Sequence, residues 1–158
     1  MRKFAAVVLF LALLLSSASA LTVSDLDVMI YGHNLNRSIC GAQELTGQPE
    51  IDEEKGSATF FIPPGIHCIF FFKDGKVTGF SCACTDPSQE SEFLAQSVTA
   101  CYNFAGTQAG ETCYDAILSQ FMFARGGNEL GSTAQVPGLL LKITKMKTGY
   151  AFVMVKVK

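Results

Sequence analysis

Six cysteines and two histidines are the residues of this 158-residue chain most able to do chemistry. No two cysteines have the C-x-x-C spacing of a zinc or redox site, and neither histidine lies at ligand spacing from a cysteine. The C-x-C of Cys82-Ala83-Cys84 would place both thiols on one side of a strand, which does not favour a redox pair. The sequence therefore predicts no metal or other cofactor, and disulfides between six cysteines: Cys40, Cys68, Cys82, Cys84, Cys101 and Cys113.

His33 and His67 are the candidates for a general base. Assisted by Glu44 or Glu50, they would supply the minimum set for a ribonuclease-like acid–base reaction. No spacing singles out such a set, because His33 lies in a polar break and His67 lies within an aromatic segment. We expect no catalytic residue and a non-enzymatic protein.

The first 20 residues have the features of a secretory signal peptide. Two basic residues precede an apolar run over residues 4–15, and the segment ends in Ala18-Ser19-Ala20. We expect cleavage after Ala20 and a single secreted domain over residues 21–158. No later apolar stretch reaches the roughly 18 to 20 residues of a membrane-spanning helix. The sequon Asn36-Arg37-Ser38 predicts an exposed loop that carries a glycan on Asn36.

Charge narrows the classes of partner. Residues 21–158 contain 10 Lys and Arg against 14 Asp and Glu, a net charge of −4. Such a balance disfavours nucleic acid as the partner. The bases are concentrated at the end of the chain, where residues 137–158 contain five lysines and no acid.

A β-hairpin is the clearest element of the sequence. Ile66 to Lys73 and Lys76 to Cys84 are joined by Asp74-Gly75, which favours a two-residue type I′ turn. In the register of that turn, Cys68 lies on the face opposite Cys82 and Cys84. Since both faces carry apolar residues, we expect a central hairpin that is covered on both sides.

Helices and further strands surround this hairpin. Residues 27–31 resemble a short strand that ends at a polar break over residues 32–34. Asp86 and Pro87 predict a helix start, with the helix continuing to about Tyr102. A second helix is expected over residues 111–125, and its inward stripe comprises Cys113, Ile117, Phe121 and Ala124.

Helix length limits how the cysteines can pair. A helix from Pro87 places Cys101 about 21 Å away, which a chain of three residues from Cys84 cannot follow. Two patterns stay open. In one, Cys113 ties the Cys82/Cys84 face to the helices and Cys40 anchors the N-terminal segment. In the other, Cys101 pairs with Cys113, and a three-residue loop at residues 73–75 brings Cys68 round to the other face.

The organisation of the whole chain resembles that of the small secreted cysteine-rich proteins of fungi. That resemblance implies a virulence role as a host-directed effector. Three segments are also similar to the Alternaria major-allergen family of secreted β-barrels, and this likeness implies no site residue. These segments are Gly79-Phe80-Ser81-Cys82, Phe121-Met122-Phe123 and Gly138-Leu139-Leu140-Leu141-Lys142.

The C-terminal segment predicts a second hairpin and a binding surface. Strands over residues 139–146 and 150–157 would flank a three-residue loop, so that residues i and 296 − i pair. In this register Tyr150 and Phe152 lie on a non-core face with Lys142 and Lys156. We hypothesise that the rings anchor a partner and that the lysines steer an acidic one.

We therefore predict an α+β domain stabilised by disulfides, in which an antiparallel sheet of two hairpins carries a helical pair on one face. The expected function is recognition of a host or extracellular protein by a secreted protein. An apolar cavity among the phenylalanines would favour binding of a small apolar ligand instead. A ribonuclease-like enzyme is the third alternative.

Overall fold

The computed structural model describes residues 24–127 and 133–157, so the predicted signal peptide lies outside the described residues. Ten helices and strands are found in the described ranges, together with a 3₁₀ turn at Pro87–Gln89. They are α1 (Asp25–Cys40), β1 (Glu50–Asp52), β2 (Ser57–Ile62), β3 (Ile66–Lys73), β4 (Lys76–Cys84), α2 (Glu90–Ala105), α3 (Thr107–Arg125), β5 (Thr133–Val136), β6 (Leu139–Lys145) and β7 (Tyr150–Lys156).

The seven strands form one antiparallel sheet in the order β1-β2-β3-β4-β7-β6-β5. This arrangement confirms the predicted α+β class and places the β3–β4 hairpin at the centre. The sheet is larger than two hairpins, because β1 and β2 extend one edge and β5 extends the other.

The β3–β4 hairpin has the predicted turn but a different register. Asp74 and Gly75 have φ values of 51° and 72°, as a type I′ turn requires. A β-bulge between Phe71 and Phe72 then shifts the pairing by one residue, so that Cys68 lies directly opposite Cys82. The prediction that Cys68 lies on the other face was therefore wrong, because the bulge reverses the faces beyond it.

The β6–β7 hairpin differs from the prediction by one residue. Lys145 pairs with Tyr150, which leaves a four-residue loop instead of the expected three. Because side chains alternate along a strand, this shift turns every side chain of β7 to the other face. Tyr150 and Phe152 therefore point into the core.

The structure confirms the two helices predicted after the central hairpin and contradicts the strand predicted before it. Asp86 accepts a hydrogen bond from the Ser88 amide at 2.9 Å, as an N-cap does, and the predicted inward stripe of α3 is buried. Residues 27–31 are helical, not a strand. Ser24 and Asp27 form a capping box, and Gly41 ends α1 in the left-handed conformation with φ 71°.

All three helices pack on one face of the sheet. The His33 ring of α1 stacks on Phe80 of β4, and Phe121 of α3 contacts Tyr150 of β7. On the opposite face His67 and Ile69 are half-buried, with no described helix over them. The expectation that the central hairpin is covered on both sides was therefore wrong for the described residues. None of the described helices is long and apolar enough to cross a bilayer.

Candidate functional site

The predicted binding patch on the C-terminal hairpin is not assembled. Tyr150 and Phe152 are 6% and 0% exposed, so they cannot anchor a partner at the surface. Lys142 is exposed on the uncovered face of the sheet, since it pairs with Val153. Lys156 lies on the helical side, with its Nζ 5.1 Å from the centre of the Phe104 ring. The four residues are therefore divided between the core and two faces of the hairpin.

The two histidines are separated by the sheet. His33 is fully buried on the helical side, whereas the His67 ring packs on Phe61 on the other side, with ring centres 4.9 Å apart. His67 and Glu50 line one open hollow, and Glu44 is paired with Arg37 on α1. The structure therefore does not bring together the histidine pair that a ribonuclease-like reaction would need.

His33 belongs to a buried polar network that joins α1 to α2. Its Nε2 lies 2.6 Å from Oε1 of Gln96, whose amide nitrogen donates to the Gln43 carbonyl and to Glu92. Burial lowers the pKa of His33 to about 4, although the hydrogen bond with Gln96 opposes this shift. The ring is therefore neutral at pH 7 and acts as a structural residue.

All six cysteines are free thiols, so the predicted disulfides are not formed in this structure. Two thiol pairs nevertheless interact: Cys68 with Cys82, and Cys101 with Cys113. Burial is the main reason that the pKa of Cys82 is raised well above its ordinary value. The hydrogen bond with Cys101 lowers the pKa of Cys113 and raises that of Cys101.

The phenylalanines of the central strands form a filled core. The ring centres of Phe70 and Phe80 are 5.1 Å apart, and those of Phe60 and Phe70 are 6.3 Å apart, both at angles typical of edge-to-face contact. Because these rings pack directly against one another, they do not line the cavity that binding of a small apolar ligand would require.

The outward side of α1 is the candidate site. It carries four large apolar side chains, which are 53%, 70%, 65% and 55% exposed: Val28, Tyr31, Leu35 and Ile39. Their spacing of three or four residues places them on one side of the helix. Leu26, Met29 and Ile30 pack against the core from the opposite side. We call the four exposed residues the α1 stripe. Their helical spacing is visible in the sequence, but the strand predicted over residues 27–31 did not reveal it.

An apolar groove opens at the C-terminal end of α1, at Cys40, which follows Ile39 of the α1 stripe. It has a volume of about 240 Å³ and is lined by Cys40 of α1, by Ser91, Leu94, Ala95 and Val98 of α2, and by Tyr114, Ile117 and Leu118 of α3. Tyr114, Leu118 and Met122 are also exposed on α3. The groove therefore borders the exposed apolar surface of α3, and α1 contributes Cys40 beside the last residue of the α1 stripe.

Asn36 lies on α1 and not in the predicted loop. Its side-chain amide donates a hydrogen bond of 2.9 Å to the Gly32 carbonyl one turn earlier. A glycan on this residue would stand beside Leu35 of the α1 stripe, so the sequon and the candidate site share one helix.

Neither a metal centre nor a known relative points to a function. In residues 24–127 and 133–157, no group of three or more His, Cys, Asp and Glu side chains could hold a metal ion. Comparisons of the chain with protein-family models, curated proteins and solved structures found no match. The arrangement of the chain's own residues must therefore carry the functional argument.

Proposed function

We propose that this protein is a secreted, non-enzymatic recognition protein that binds another protein through the α1 stripe and the adjoining groove. One observation carries the proposal: four large apolar side chains on one side of α1 are each more than half exposed. Single exposed apolar residues are ordinary, but a contiguous set marks an interaction surface.

The two-sided character of α1 supports this assignment. A surface helix usually has one apolar side and one polar side, and a helix that is apolar on both sides is usually buried on both. The core covers Leu26, Met29 and Ile30, whereas the α1 stripe has no cover from the described residues. A partner would supply the missing layer.

The shape of the groove favours a protein over a small molecule. Small-molecule sites are usually enclosed and measure roughly 300 to 1,000 Å³. The groove is smaller, at about 240 Å³, and open. It suits one apolar side chain of a helix that lies along the α1 stripe, which is a common mode of peptide recognition.

The charge beside the groove favours a basic flank on the partner. Glu111 and Asp115 are exposed on α3 beside Tyr114 and Leu118. Lys142 and Lys156, from which we predicted an acidic partner, do not line this groove. We therefore propose an amphipathic helix with basic flanking residues as the partner segment. By the resemblance to fungal effectors, it would belong to a host protein.

Paired surface variants test the proposal. Mature protein beginning at Leu21 is used to isolate a binding protein from host extracellular fluid, and the purified partner is then titrated against each variant. Tyr31→Ser/Leu35→Ser should weaken binding at least tenfold, since exposed rings and leucines at an interface centre commonly dominate affinity. Its melting temperature should stay unchanged, because both side chains are already exposed.

A matched control removes apolar groups from the other face. Phe61→Ser/Val153→Ser changes two exposed residues on the uncovered side of the sheet and should bind within twofold of the parent. Equal binding by all three proteins would refute the proposal. Sedimentation of the chain alone should show a monomer, and a dimer lost in the α1 variant would make a second copy the occupant instead.

A further inference from the structure

Cys68 and Cys82 are placed to form a disulfide across the central hairpin. They are directly opposite residues of β3 and β4, and both are fully buried on the helical side of the sheet. Opposite residues of antiparallel strands have Cα atoms about 4.5 to 5.5 Å apart, within the range that a disulfide spans. Their thiols already interact. The β-bulge creates this juxtaposition, because without it the two sulfurs would lie on different faces.

Cys101 and Cys113 form the second facing pair. They lie on α2 and α3, which are joined through Gly106, so each is five to seven residues from the turn between two antiparallel helices. With a rise of about 1.5 Å per residue, the two positions reach nearly the same level. Both side chains are fully buried and their thiols interact, and the Cys101 sulfur also lies 3.6 Å from Sδ of Met154.

The other two cysteines are held apart along α2. The Cys84 sulfur lies 3.0 Å from the carbonyl oxygen of Asp86, just before this helix begins. The Cys40 thiol interacts with Thr99, nine residues beyond the start of α2 at Glu90. Nine residues of helix extend about 13 Å, whereas sulfurs in a disulfide are about 2 Å apart.

We propose that the native protein contains the disulfides Cys68–Cys82 and Cys101–Cys113 and keeps Cys40 and Cys84 as thiols. Each bond forms when two thiols lose two protons and two electrons. A protein or small-molecule disulfide accepts the electrons and leaves as a pair of thiols. In the cell this step rests on the proposed secretion, since oxidising compartments supply that disulfide. It does not depend on the α1 stripe.

Peptide mapping without reductant tests the pairing. Secreted protein, and separately protein refolded with oxidised glutathione, is unfolded in iodoacetamide and digested with trypsin and a glutamate-specific protease. Cleavage at Lys73 and Glu111 opens the loop between each proposed pair. We expect two crosslinked peptide pairs, Cys68–Cys82 and Cys101–Cys113, with alkyl groups on Cys40 and Cys84 alone. Fragmentation at Ala83 separates Cys82 from Cys84.

Two variants serve as matched controls. The double variant Cys40→Ser/Cys84→Ser should keep both crosslinks and contain no alkylated cysteine, whereas Cys68→Ser should newly expose Cys82 to alkylation. A crosslink to Cys40 or Cys84, protection of all six cysteines, or alkylation of all six would each overturn the proposal. If the refolded protein gives the expected map but the secreted chain cannot be recovered, the proposed secretion fails and the pairing stands.

Discussion

The buried imidazole of His33 predicts a specific loss of stability in mild acid. Burial lowers the pKa of His33 from 6.5 to about 4 in the folded protein, and the unfolded chain keeps the ordinary value. The unfolded state therefore binds a proton that the folded state resists. The stability due to the neutral ring is complete above about pH 6.5 and is lost as the pH falls towards 4.

The size of this effect follows from the two pKa values. A shift of about 2.5 units corresponds to about 3 kcal/mol when the titration is complete. At pH 5, where the folded ring is still mostly neutral, about 2 kcal/mol of the free energy of unfolding is already lost relative to pH 8. The loss is this large because the protonated ring would lie against the Phe70 and Phe80 rings, with no described partner for Nδ1.

Urea unfolding at a series of pH values measures the effect, with His33→Gln as the comparison. Glutamine keeps a donor for Gln96 but does not titrate, so this variant should lose about 2 kcal/mol less than the parent between pH 8 and 5. His67 is present in both proteins, so any contribution from it cancels from the difference. Parallel stability curves for the two proteins would refute the argument, as would an NMR titration of His33 with a pKa near 6.5.

Two further substitutions test local features of the fold. In Gly149→Ala the new Cβ would collide with the backbone carbonyl of Cys84 at a φ of 92°, whereas in Gly138→Ala, at a φ of 77°, it would meet nothing within 4 Å. In urea unfolding, the free energy of unfolding should fall by about 1 kcal/mol in Gly138→Ala and by clearly more in Gly149→Ala. Equal losses would show that the close approach of Gly149 to Cys84 of β4 does not limit the side chain at this position. Ser24→Ala removes the capping box of α1 and should lose about 1 kcal/mol, and an unchanged free energy of unfolding would contradict the capping geometry.

Local signals in the sequence identified the downstream elements correctly. Asp74-Gly75 specifies a type I′ turn because both residues tolerate a positive φ, and the stripe of α3 repeats at helical spacing. These signals depend only on neighbouring residues. The same kind of reasoning identified Asp86 as a cap, because its side chain needs only the Ser88 amide.

The registers of the two hairpins depend on contacts across the whole sheet, so neighbouring residues alone did not predict them. The turn fixes the pairing of Lys73 with Lys76, but it does not predict the bulge between Phe71 and Phe72 that shifts the pairing beyond it. A single extra residue in each hairpin was enough to move Cys68, Tyr150 and Phe152 to unexpected faces. The predicted binding patch on the C-terminal hairpin is not formed for this reason, since the shifted register buries Tyr150 and Phe152.

The missed helix and the missed binding surface have one physical cause. Apolar residues on both sides of α1 produce the continuous run Val28-Met29-Ile30-Tyr31, which by itself is equally typical of a buried strand. The signals that decide for a helix lie outside this run, in the capping box at Ser24 and in the left-handed Gly41. A helix with apolar residues on only one side would have shown a clear amphipathic repeat of about 3.6 residues. The second apolar side hides that period, and it is also the feature that requires a partner. The residues that concealed α1 in the sequence are therefore those by which we propose that it binds.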